Sequence, residues 1–600
     1  MKERKQTKEK IRTMIGFYDY AVIAVFVVFM AGIGVYFRNV CKNTSDFLRG
    51  GGSMSWYLSG ASNFMVTFSA WTFVGCAGKI YKTGTLLIML FAFNAVAYLL
   101  IALFFAHRFR RMRVITPIDA VRRRFGKGSE QVYAWYNTII SFIFGGLGLY
   151  TLSIFLAPIL GMSVNGSIWV MGLLITFLAV TGGSWAVAAS DFVQALIVMS
   201  ITIVAAVLVL RMPEVGGLSG FFEKIPSYHF NWSETLSPQI VICWLVAIFF
   251  NQIFSAINLT AGASRFLFVK SDRDARKSAL LVAFGFIVGP LFWFIPPMAA
   301  SFVIPDITAE FPYLRNPEEA SYVAICMRVF PAGLTGLLAC GIFAATMSSV
   351  NTSLNQISGI TGRNIYLALI RPQADDRELL LFARIATVVL GVLMILLGIW
   401  FSEVSKLPLF ELTLLLAGLI SIPLTMPLVL GIFVRKTPQW AAWSTIVVGL
   451  LVAYLVKYQL PIQEIATFLG IPRKLTEQEA GDLQFSLMIF LVAGISCIWF
   501  LGSRFFAGKI SSERKKEVDA FFQDMNTPVT EDSDEHENTD SMQFRMLGML
   551  CLAYGALTLL GVFIPNGAAG RISFLFIGGV ALITGGLLYF NYRRRIGDEK

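Results

Sequence analysis

Residues 344–355 read Ala344-Ala345-Thr346-Met347-Ser348-Ser349-Val350-Asn351-Thr352-Ser353-Leu354-Asn355, and they end an apolar segment that begins near Pro331. On a helix, Ala345, Ser348, Ser349 and Thr352 share one face, because they stand at positions i, i+3, i+4 and i+7. Polar side chains inside an apolar helix are costly, and they usually serve a function. Their hydroxyl oxygens are hard, uncharged ligands that suit a loosely held sodium ion. The stretch therefore predicts an ion-coupled membrane transporter.

Composition places the whole chain in the membrane. The 600 residues are 56% hydrophobic and only 14% charged, which no soluble globular domain shows. Runs long enough to cross a bilayer recur along the sequence, and they are too long for barrel strands. We expect an all-α polytopic bundle of about fifteen spans. They lie near 16–37, 56–82, 84–106, 131–160, 166–184, 185–211, 238–260, 276–303, 331–357, 380–402, 407–434, 438–458, 483–502, 545–565 and 572–592.

The net charge of +12 comes from basic residues in alternate loops, which predicts that these loops face the cytoplasm as solvated charges. The basic loops contain Arg108, Arg110, Arg111, Arg113, Arg122, Arg123, Arg124 and Lys127; Arg265, Lys270, Arg273, Arg276 and Lys277; Arg363, Arg371 and Arg377; Arg435 and Lys436; Arg514, Lys515 and Lys516; and Arg593, Arg594 and Arg595. Loop 304–320 is acidic instead. A basic cluster before the first span contradicts this alternation. Either the overall topology overrides the cluster, or translation starts at Met14.

Catalytic and metal-binding patterns are missing from the sequence. The seven cysteines are scattered through apolar spans without a C-x-x-C pair, which is typical of small buried hydrophobic residues. The three histidines form no metal-binding set. No nucleotide-binding or nucleophile motif occurs in a suitable context. We therefore expect no enzymatic activity, no organic cofactor and no nucleic-acid partner, and any uphill transport must use an ion gradient.

One polar stretch, 503–543, interrupts the apolar spans. Its low hydrophobicity and its acidic run over 531–540 predict a short cytoplasmic helix followed by disorder. We expect a solvated linker, with a regulatory role as the alternative.

Two spans carry unusually many polar residues. Segment 56–81 contains Ser62, Asn63, Thr67, Ser69 and Thr72, and segment 239–260 contains Asn251, Gln252, Ser255 and Asn258. They begin two sets of five spans, 56–211 and 238–434. Paired interrupted spans in corresponding positions indicate inverted repeats around a site in the middle of the membrane. The alternative is polar contacts between helices.

Four short patches resemble motifs of the sodium:solute symporter family, over about Gly16 to Lys436. The first is 46–54 followed by Trp56, and the second is 73–75 with Gly78. The third is Gly182-Gly183-Ser184-Trp185-Ala186-Val187 with Asp191-Phe192-Val193-Gln194, and the fourth is 344–349 with Leu354-Asn355. The order and spacing of the four patches make the resemblance specific.

This resemblance implies a LeuT-like fold of two inverted five-helix repeats with flanking helices. Carried onto this chain, it predicts six regions. They are an N-terminal extension with a flanking helix (1–55), the first repeat (56–211), the second repeat (238–434), additional helices (438–502), a cytoplasmic linker (503–543) and C-terminal helices (544–600).

The resemblance also implies a sodium site. Its ligands would be backbone carbonyls of Met65, Phe68 and Ala345 and side-chain oxygens of Ser348 and Ser349. Asp191 matches an intramembrane acid of the family. It would neutralise this ion, or form a second sodium site with Ser348, Asn351 and Thr352; the alternative is a helix-capping residue.

Family solute positions map onto the first, second, sixth, seventh and tenth core helices. These positions are Thr67, Ser69, Trp71, Thr72, Phe91, Asn94, Gln252, Ser255, Phe286, Thr413 and Leu414. Sodium/galactose carriers have polar or charged groups where this chain has Phe91, Phe286 and Leu414, which weakens a sugar assignment. Proline carriers have an aspartate where Thr67 stands. An aromatic pocket with neutral polar groups favours a neutral or zwitterionic solute.

The sequence therefore predicts a sodium-coupled symporter in the cytoplasmic (inner) membrane, with a small solute, sodium and the lipid bilayer as partners. The alternatives are a sodium-independent or proton-coupled carrier, a carrier of an organic anion or sugar, and a transporter-like sensor. The identity of the solute, the sodium stoichiometry and the oligomeric state stay open.

Overall fold

The computed structural model describes residues 15–38, 53–232, 236–404, 407–508, 511–530 and 533–598. These residues form helices joined by turns and loops, and no strand occurs among them. Side chains at 34–38, 181–186, 376, 533–540 and 596–598 are not described. The N-terminal basic cluster, Met14 and residues 46–52 of the first family-like patch lie outside the described residues.

The first half of the chain, from Phe17 to His229, covers the first predicted repeat, the helix before it and the loop after it. They are α1 Phe17–Arg38, α2 Trp56–Thr67, α3 Ala77–Thr83, α4 Ile88–Phe104, α5 Ala106–Arg111, α6 Pro117–Phe125, α7 Lys127–Leu160, α8 Val164–Leu210 and α9 Gly217–Lys224, with a π-helical turn Thr72–Cys76 and 3₁₀ turns Gly84–Leu87 and Ser227–His229.

The second half continues in the same way. Its helices are α10 Pro238–Ala256, α11 Asp272–Val288, α12 Pro290–Trp293, α13 Ile295–Val303, α14 Ile307–Glu310, α15 Ser321–Val329, α16 Leu334–Ile360, α17 Asp376–Val404, α18 Leu409–Leu416, α19 Ile422–Phe433, α20 Ala441–Tyr458, α21 Ile462–Phe468, α22 Glu477–Gly502, α23 Ser512–Asn526, α24 Ser533–Leu559 and α25 Ala568–Asp598. Irregular turns join some of them: π-helical Thr361–Ile370 and Ala417–Ser421, and 3₁₀ Gly262–Leu267, Pro317–Ala320, Ser503–Phe506 and Leu560–Phe563.

Within the described residues, 12 helical stretches are long and apolar enough to cross a membrane, and Phe17–Ile33 and Val164–Val180 are shorter apolar helices. One stretch, Thr72–Phe104, combines the second half of the first polar span with the whole next span, and the chain turns between them at Gly84, where φ is +79°. The prediction of about fifteen spans is therefore approximate.

Helix α8 differs from the sequence expectation. It runs without a break through 47 residues, whereas we expected two separate spans at 166–184 and 185–211. At 1.5 Å per residue its contour is about 70 Å, about twice the thickness of the hydrocarbon core of a bilayer. No proline occurs within 181–186 to force an interruption.

The first polar span is broken at the predicted place. Helix α2 ends at Thr67, and Phe68 has an extended backbone with φ −116° and ψ 128°. The freed amide of Ala70 donates a hydrogen bond to Thr346 Oγ1 on α16, at 2.9 Å. A neighbouring helix thus satisfies a backbone donor that no water would reach in a bilayer. The second polar span is interrupted too, since α10 stops at Ala256 and a 3₁₀ turn begins at Gly262.

The polar segment 503–543 contains the short helix that we expected, α23, and this helix is packed against the protein instead of being solvated. Its helix α23 buries Val518, Phe521 and Met525, and helix α24 starts at Ser533, so the acidic run is helical from that residue. Two ion pairs fix α23 to the basic loops: Arg123 to Asp524 and Arg435 to Asp519, both at 2.6 Å. Apolar burial, which single-residue hydropathy does not reveal, orders this segment.

Gln543 joins the C-terminal part of the chain to the start of α2. Its Oε1 accepts hydrogen bonds from Ser55 N (2.9 Å) and Ser55 Oγ (2.7 Å), and its Nε2 donates to the Ser53 carbonyl (2.9 Å). The side chain is fully buried. We call this contact the Gln543 clamp. It holds the entrance of the broken helix by a residue 488 positions away in sequence.

We expect Gln543→Ala to lower the thermal unfolding midpoint of the purified protein, because it removes three buried hydrogen bonds at a cost of about 1–3 kcal/mol. Differential scanning fluorimetry in detergent measures the effect. The matched control is Gln523→Ala, whose side chain is exposed on α23. Equal midpoints for the two variants would contradict a stabilising role of the clamp.

Candidate ion and solute sites

Helix α16 carries the hydroxyl stripe into the buried centre of the fold, next to the break after α2. Ala345 and Ser348 are 0% and 1% exposed, and Ser349 is half-buried. Met65 and Phe68, at the other side of the proposed site, are fully buried. Because the Ala70–Thr346 hydrogen bond ties the break to α16, it brings the two halves of the predicted sodium set to the same region.

The hydrogen bonds leave oxygen lone pairs available in this region. Ser349 Oγ donates its proton to the Thr346 carbonyl at 2.9 Å, so its lone pairs are not used by that bond. Ser348 Oγ is buried without a regular hydrogen-bond partner. Helix α2 ends at Thr67, so the Met65 carbonyl has no amide of a following helical turn to accept from. This chemistry fits a hard cation without an organic cofactor.

Asp191 lies on α8 with no exposed surface. Its Oδ2 accepts a hydrogen bond from Ser62 Oγ on α2, at 2.5 Å, whereas its Oδ1 has no partner. Its carboxyl also interacts electrostatically with the Arg265 guanidinium. Asp191 is therefore a tertiary contact between α8 and α2, rather than a cap on its own helix.

Arg265 departs from the sequence expectation. We expected a solvated cytoplasmic charge, but the side chain is only 3% exposed. Its Nη2 donates to Thr352 Oγ1 at 2.7 Å, so it binds one residue of the predicted second sodium set and interacts with another, Asp191. The third, Asn351, is buried with Oδ1 unpaired. A loop position beside other basic residues gave no signal of this burial.

A cavity of about 330 Å³ contains the solute positions. All eleven predicted solute positions line it: Thr67 and Phe286, and nine others. The nine are Ser69, Trp71, Thr72, Phe91, Asn94, Gln252, Ser255, Thr413 and Leu414. Ser349 and Thr352 of the ion sets also line this cavity. The structure thus brings the first, second, sixth, seventh and tenth core helices of the expectation around one space.

None of the described residues that line this cavity has an ionised side chain. Its polar lining consists of hydroxyl groups and of six side-chain amides: Asn94, Asn137, Asn251, Gln252, Asn258 and Gln356. Sequence reasoning missed Asn137 and Gln356 as cavity residues. Asn137 lies within a long apolar span, which was the one available signal, and its Nδ2 is buried without a partner. Such groups recognise a solute through hydrogen bonds rather than through charge.

An aromatic pair closes the cavity on the face opposite the basic loops. The Trp71 and Phe410 rings are stacked at 5.6 Å with an interplanar angle of 11°. Gly75 permits this approach, because a Cβ there would lie 3.0 Å from the Trp71 ring and 3.2 Å from the Phe410 amide. Beyond the pair lies a second cavity of about 440 Å³, which the Lys79–Glu411 ion pair (2.8 Å) borders.

Glu319 supports the same closure. Its carboxylate accepts the Leu409 amide at 2.6 Å, next to Phe410. Burial raises the pKa of Glu319 to about 8, and the hydrogen bond from Leu409 opposes this rise only in part. The group is therefore largely protonated at neutral pH, which avoids a buried unpaired charge at the closed end.

We expect Phe410→Ala to open the solute cavity on the face opposite the basic loops. Because the basic loops are predicted to face the cytoplasm, this face is expected to be the external one. Loss of an aromatic pair worth about 0.5–1.5 kcal/mol shifts such an equilibrium about 2- to 10-fold. The measurement is the reaction rate of Ser69→Cys with a membrane-impermeant thiol reagent added outside, in a background of unreactive native cysteines. Phe505→Ala, an exposed aromatic, is the control. An unchanged rate would contradict the closure.

Comparison with known sequences identifies the protein family of this chain. A profile of the sodium:solute symporter family matches residues 47–449, more than half of the chain. The chain belongs to the sodium:solute symporter family. This symporter is 25% identical to the sodium/sialic acid symporter SiaT of Proteus mirabilis, over 74% of the chain and 90% of that protein. It is 24% identical to a sodium/glucose cotransporter of Vibrio parahaemolyticus, over 74% of the chain and 86% of that protein.

Solved structures agree on the LeuT-like fold. A substrate-bound, outward-open sodium-coupled sialic acid symporter matches with a TM-score of 0.63 and 22% identity, covering 80% of this chain and 98% of that one. MHP1, a nucleobase-cation-symport-1 transporter in a closed conformation with bromovinylhydantoin bound, matches with a TM-score of 0.52 and 11% identity, covering 80% and 99%.

These findings confirm the coarse sequence predictions. The protein is a multi-pass membrane transporter and not an enzyme, and it is a symporter whose coupling ion is sodium. The assignment of individual ligand residues and the class of solute remain proposals.

Proposed function

We propose that this symporter imports a small uncharged or zwitterionic polar solute across the cytoplasmic membrane by alternating access. The observation that carries the proposal is the solute cavity, which has six amides and several hydroxyl groups but no ionised side chain in its lining. A fixed charge on the solute would have no opposite charge to meet there, and its desolvation would be costly. A solute with several hydroxyl or amide groups would find both donors and acceptors.

Sodium would bind at Met65, Phe68, Ala345, Ser348 and Ser349. The buried, unpaired Ser348 hydroxyl and the break pinned by Thr346 support this position. A site that spans α2 and α16 changes shape when these helices move apart, so sodium would bind one conformation better than the other. That difference is what couples the ion to the solute. Asp191, Asn351 and Thr352 form the adjacent ion-coupling set.

A second candidate is a small organic anion that uses the bound sodium as its counter-charge. The similarity to sodium/sialic acid symporters of Proteus mirabilis and Aliivibrio fischeri favours it. Ser349 belongs both to the sodium set and to the cavity lining, so an anion in the cavity could approach the ion.

The bacterial origin of these relatives supports the inner membrane as the location.

We expect one compound of a metabolite panel to raise the thermal midpoint of the purified protein in sodium but not in potassium. Saturation at about 100 times the dissociation constant adds about 2.7 kcal/mol of stability. The panel contains polyols, hexoses, neutral amides, zwitterionic amino acids and N-acetylneuraminate. A polyol, an amide or an amino acid supports the proposal, and N-acetylneuraminate supports the second candidate. Stabilisation that is equal in both salts would contradict sodium coupling.

We expect Ser348→Ala combined with Ser349→Ala to raise the sodium concentration for half-maximal stabilisation about tenfold or more, which corresponds to at least about 1.4 kcal/mol. Folding should be retained, because Ser348 Oγ makes no hydrogen bond and Ser349 Oγ bonds only within its helix. Titration of the thermal midpoint with sodium at constant ionic strength measures this.

The control is Ser358→Ala on the same helix, which removes a similar bond to the Asn355 carbonyl (3.0 Å) away from the solute cavity. Unchanged sodium dependence of the double variant would show that the ion binds elsewhere.

A further inference from the structure

A cavity of about 470 Å³ lies at the basic-loop ends of three membrane spans, and it shares no lining residue with the solute cavity. Lys127–Leu160 and Arg377–Val404 begin beside it, and Leu334–Ile370 ends there. We propose that this head-group cavity binds an anionic phospholipid whose head group carries free hydroxyl groups, of the phosphatidylglycerol class. The inference does not depend on the solute or on the sodium ligands proposed above.

The first support is the charge of the lining. Arg122, Lys127 and Arg363 line the cavity with two carboxylates, Asp119 and Glu130, so one positive charge is in excess. The N–O distances are 3.6 Å for Arg363–Asp119 and 3.7 Å for Arg122–Glu130, which are too long for hydrogen bonds. Lys127 forms no ion pair with the described residues. The donors of these basic side chains therefore remain available to a phosphate group.

The second support is a pair of unused acceptors in the lining. Asn364 is buried, and its Nδ2 donates to Glu130 Oε1 at 2.8 Å while its Oδ1 has no partner. Gln131 Nε2 donates to the Asn364 carbonyl at 2.8 Å, and Gln131 Oε1 is likewise buried without a donor. Because both amide nitrogens face acceptors, the orientation of both amides is fixed. Buried acceptors need donors, and the hydroxyl groups of a glycerol head group supply them.

The third support is the lipid-exposed surface around the cavity. Leu369 lines the cavity and is more than half exposed, as is Leu381 near the start of α17. On α7, Trp135 and Ile139 follow the lining residue Gln131 at i+4 and i+8, and both are more than half exposed. An exposed tryptophan about two turns from the basic start of a span is typical of the membrane–water interface. The cavity therefore lies at the depth of lipid head groups.

The apolar part of the lining favours a lipid over a soluble phosphate. Leu367, Leu379, Leu380 and Ala383 form this part, between the end of α16 and α17. A phospholipid satisfies both parts of the cavity, because its phosphate meets the basic residues and its acyl chains cover the apolar ones. The wall that carries Arg363 and Asn364 is the π-helical segment Thr361–Ile370. Such segments are rare and frequently occur at functional sites.

The test measures the thermal midpoint of the purified full-length protein in detergent micelles that contain phosphatidylglycerol, phosphatidylethanolamine or phosphatidylcholine at increasing mole fractions. We expect phosphatidylglycerol to raise the midpoint at a lower mole fraction than the other two lipids. This preference should weaken when the ionic strength rises from about 0.1 M to about 1 M, since the Debye length then falls from about 10 Å to about 3 Å.

We expect Lys127→Gln combined with Arg363→Gln to raise the mole fraction of phosphatidylglycerol for half-maximal stabilisation about tenfold or more, because two contacts to the phosphate are lost. The matched control is Lys515→Gln with Lys516→Gln, which removes the same charge from exposed positions on α23 and should leave this mole fraction unchanged.

Ala368→Trp tests the cavity without changing any charge. Ala368 is exposed and lines the cavity, so an indole there fills the space at little cost to folding. We expect it to weaken the effect of phosphatidylglycerol as the charge variant does. If the charge variant does not stay monodisperse, Ala368→Trp decides the question.

Three results would overturn the proposal. One is equal stabilisation by phosphatidylglycerol and by either of the other two lipids. Another is an unchanged half-maximal mole fraction in a well-folded charge variant or in Ala368→Trp, which would place the lipid elsewhere. The third is equal stabilisation by soluble glycerol phosphate, which would assign the cavity to a phosphate compound in solution.

Discussion

The broken helix after Thr67 is the constraint on which the rest of this symporter depends. A bilayer offers no water to the backbone groups that a broken helix frees, so another part of the protein must satisfy them. Here the Thr346 hydroxyl accepts the Ala70 amide. The same helix α16 carries Ser348 and Ser349 within one turn of Thr346. One hydrogen bond therefore satisfies a backbone group of the break and ties the break to the helix that carries the hydroxyl stripe.

Charged side chains lie on two sides of the solute cavity, and none of the described residues that line the cavity itself is charged. On one side, the buried Asp191 accepts the Ser62 hydroxyl and connects α8 with α2, and the buried Arg265 donates to Thr352 on α16. On the other, Lys79 and Glu411 lie beyond the Trp71–Phe410 stack. Between them, amides and hydroxyl groups line the space. Selection by hydrogen bonds and shape follows from this arrangement, and sodium brings the mobile charge.

The C-terminal part of the chain is integrated into the moving core. Gln543 binds the start of α2, and α23 is tied to Arg123, in a loop of the first predicted repeat, and to Arg435, directly after the second. A segment in this position experiences any change in the distance between these loops.

The sequence by itself determined the class of the molecule. Long apolar runs, the polar stripe of α16 and the interrupted segments predicted a helical ion-coupled transporter with a mid-membrane site, and these features follow from hydropathy and helical periodicity, which are local. The family resemblance supplied the eleven solute positions, and these do line one cavity. Only the tertiary structure decided the roles of Arg265, Gln543, Thr346 and Asn137. Burial and hydrogen-bond partners depend on residues that are distant in sequence. The local sequence of a charged loop residue is therefore the same whether its side chain is solvated or buried.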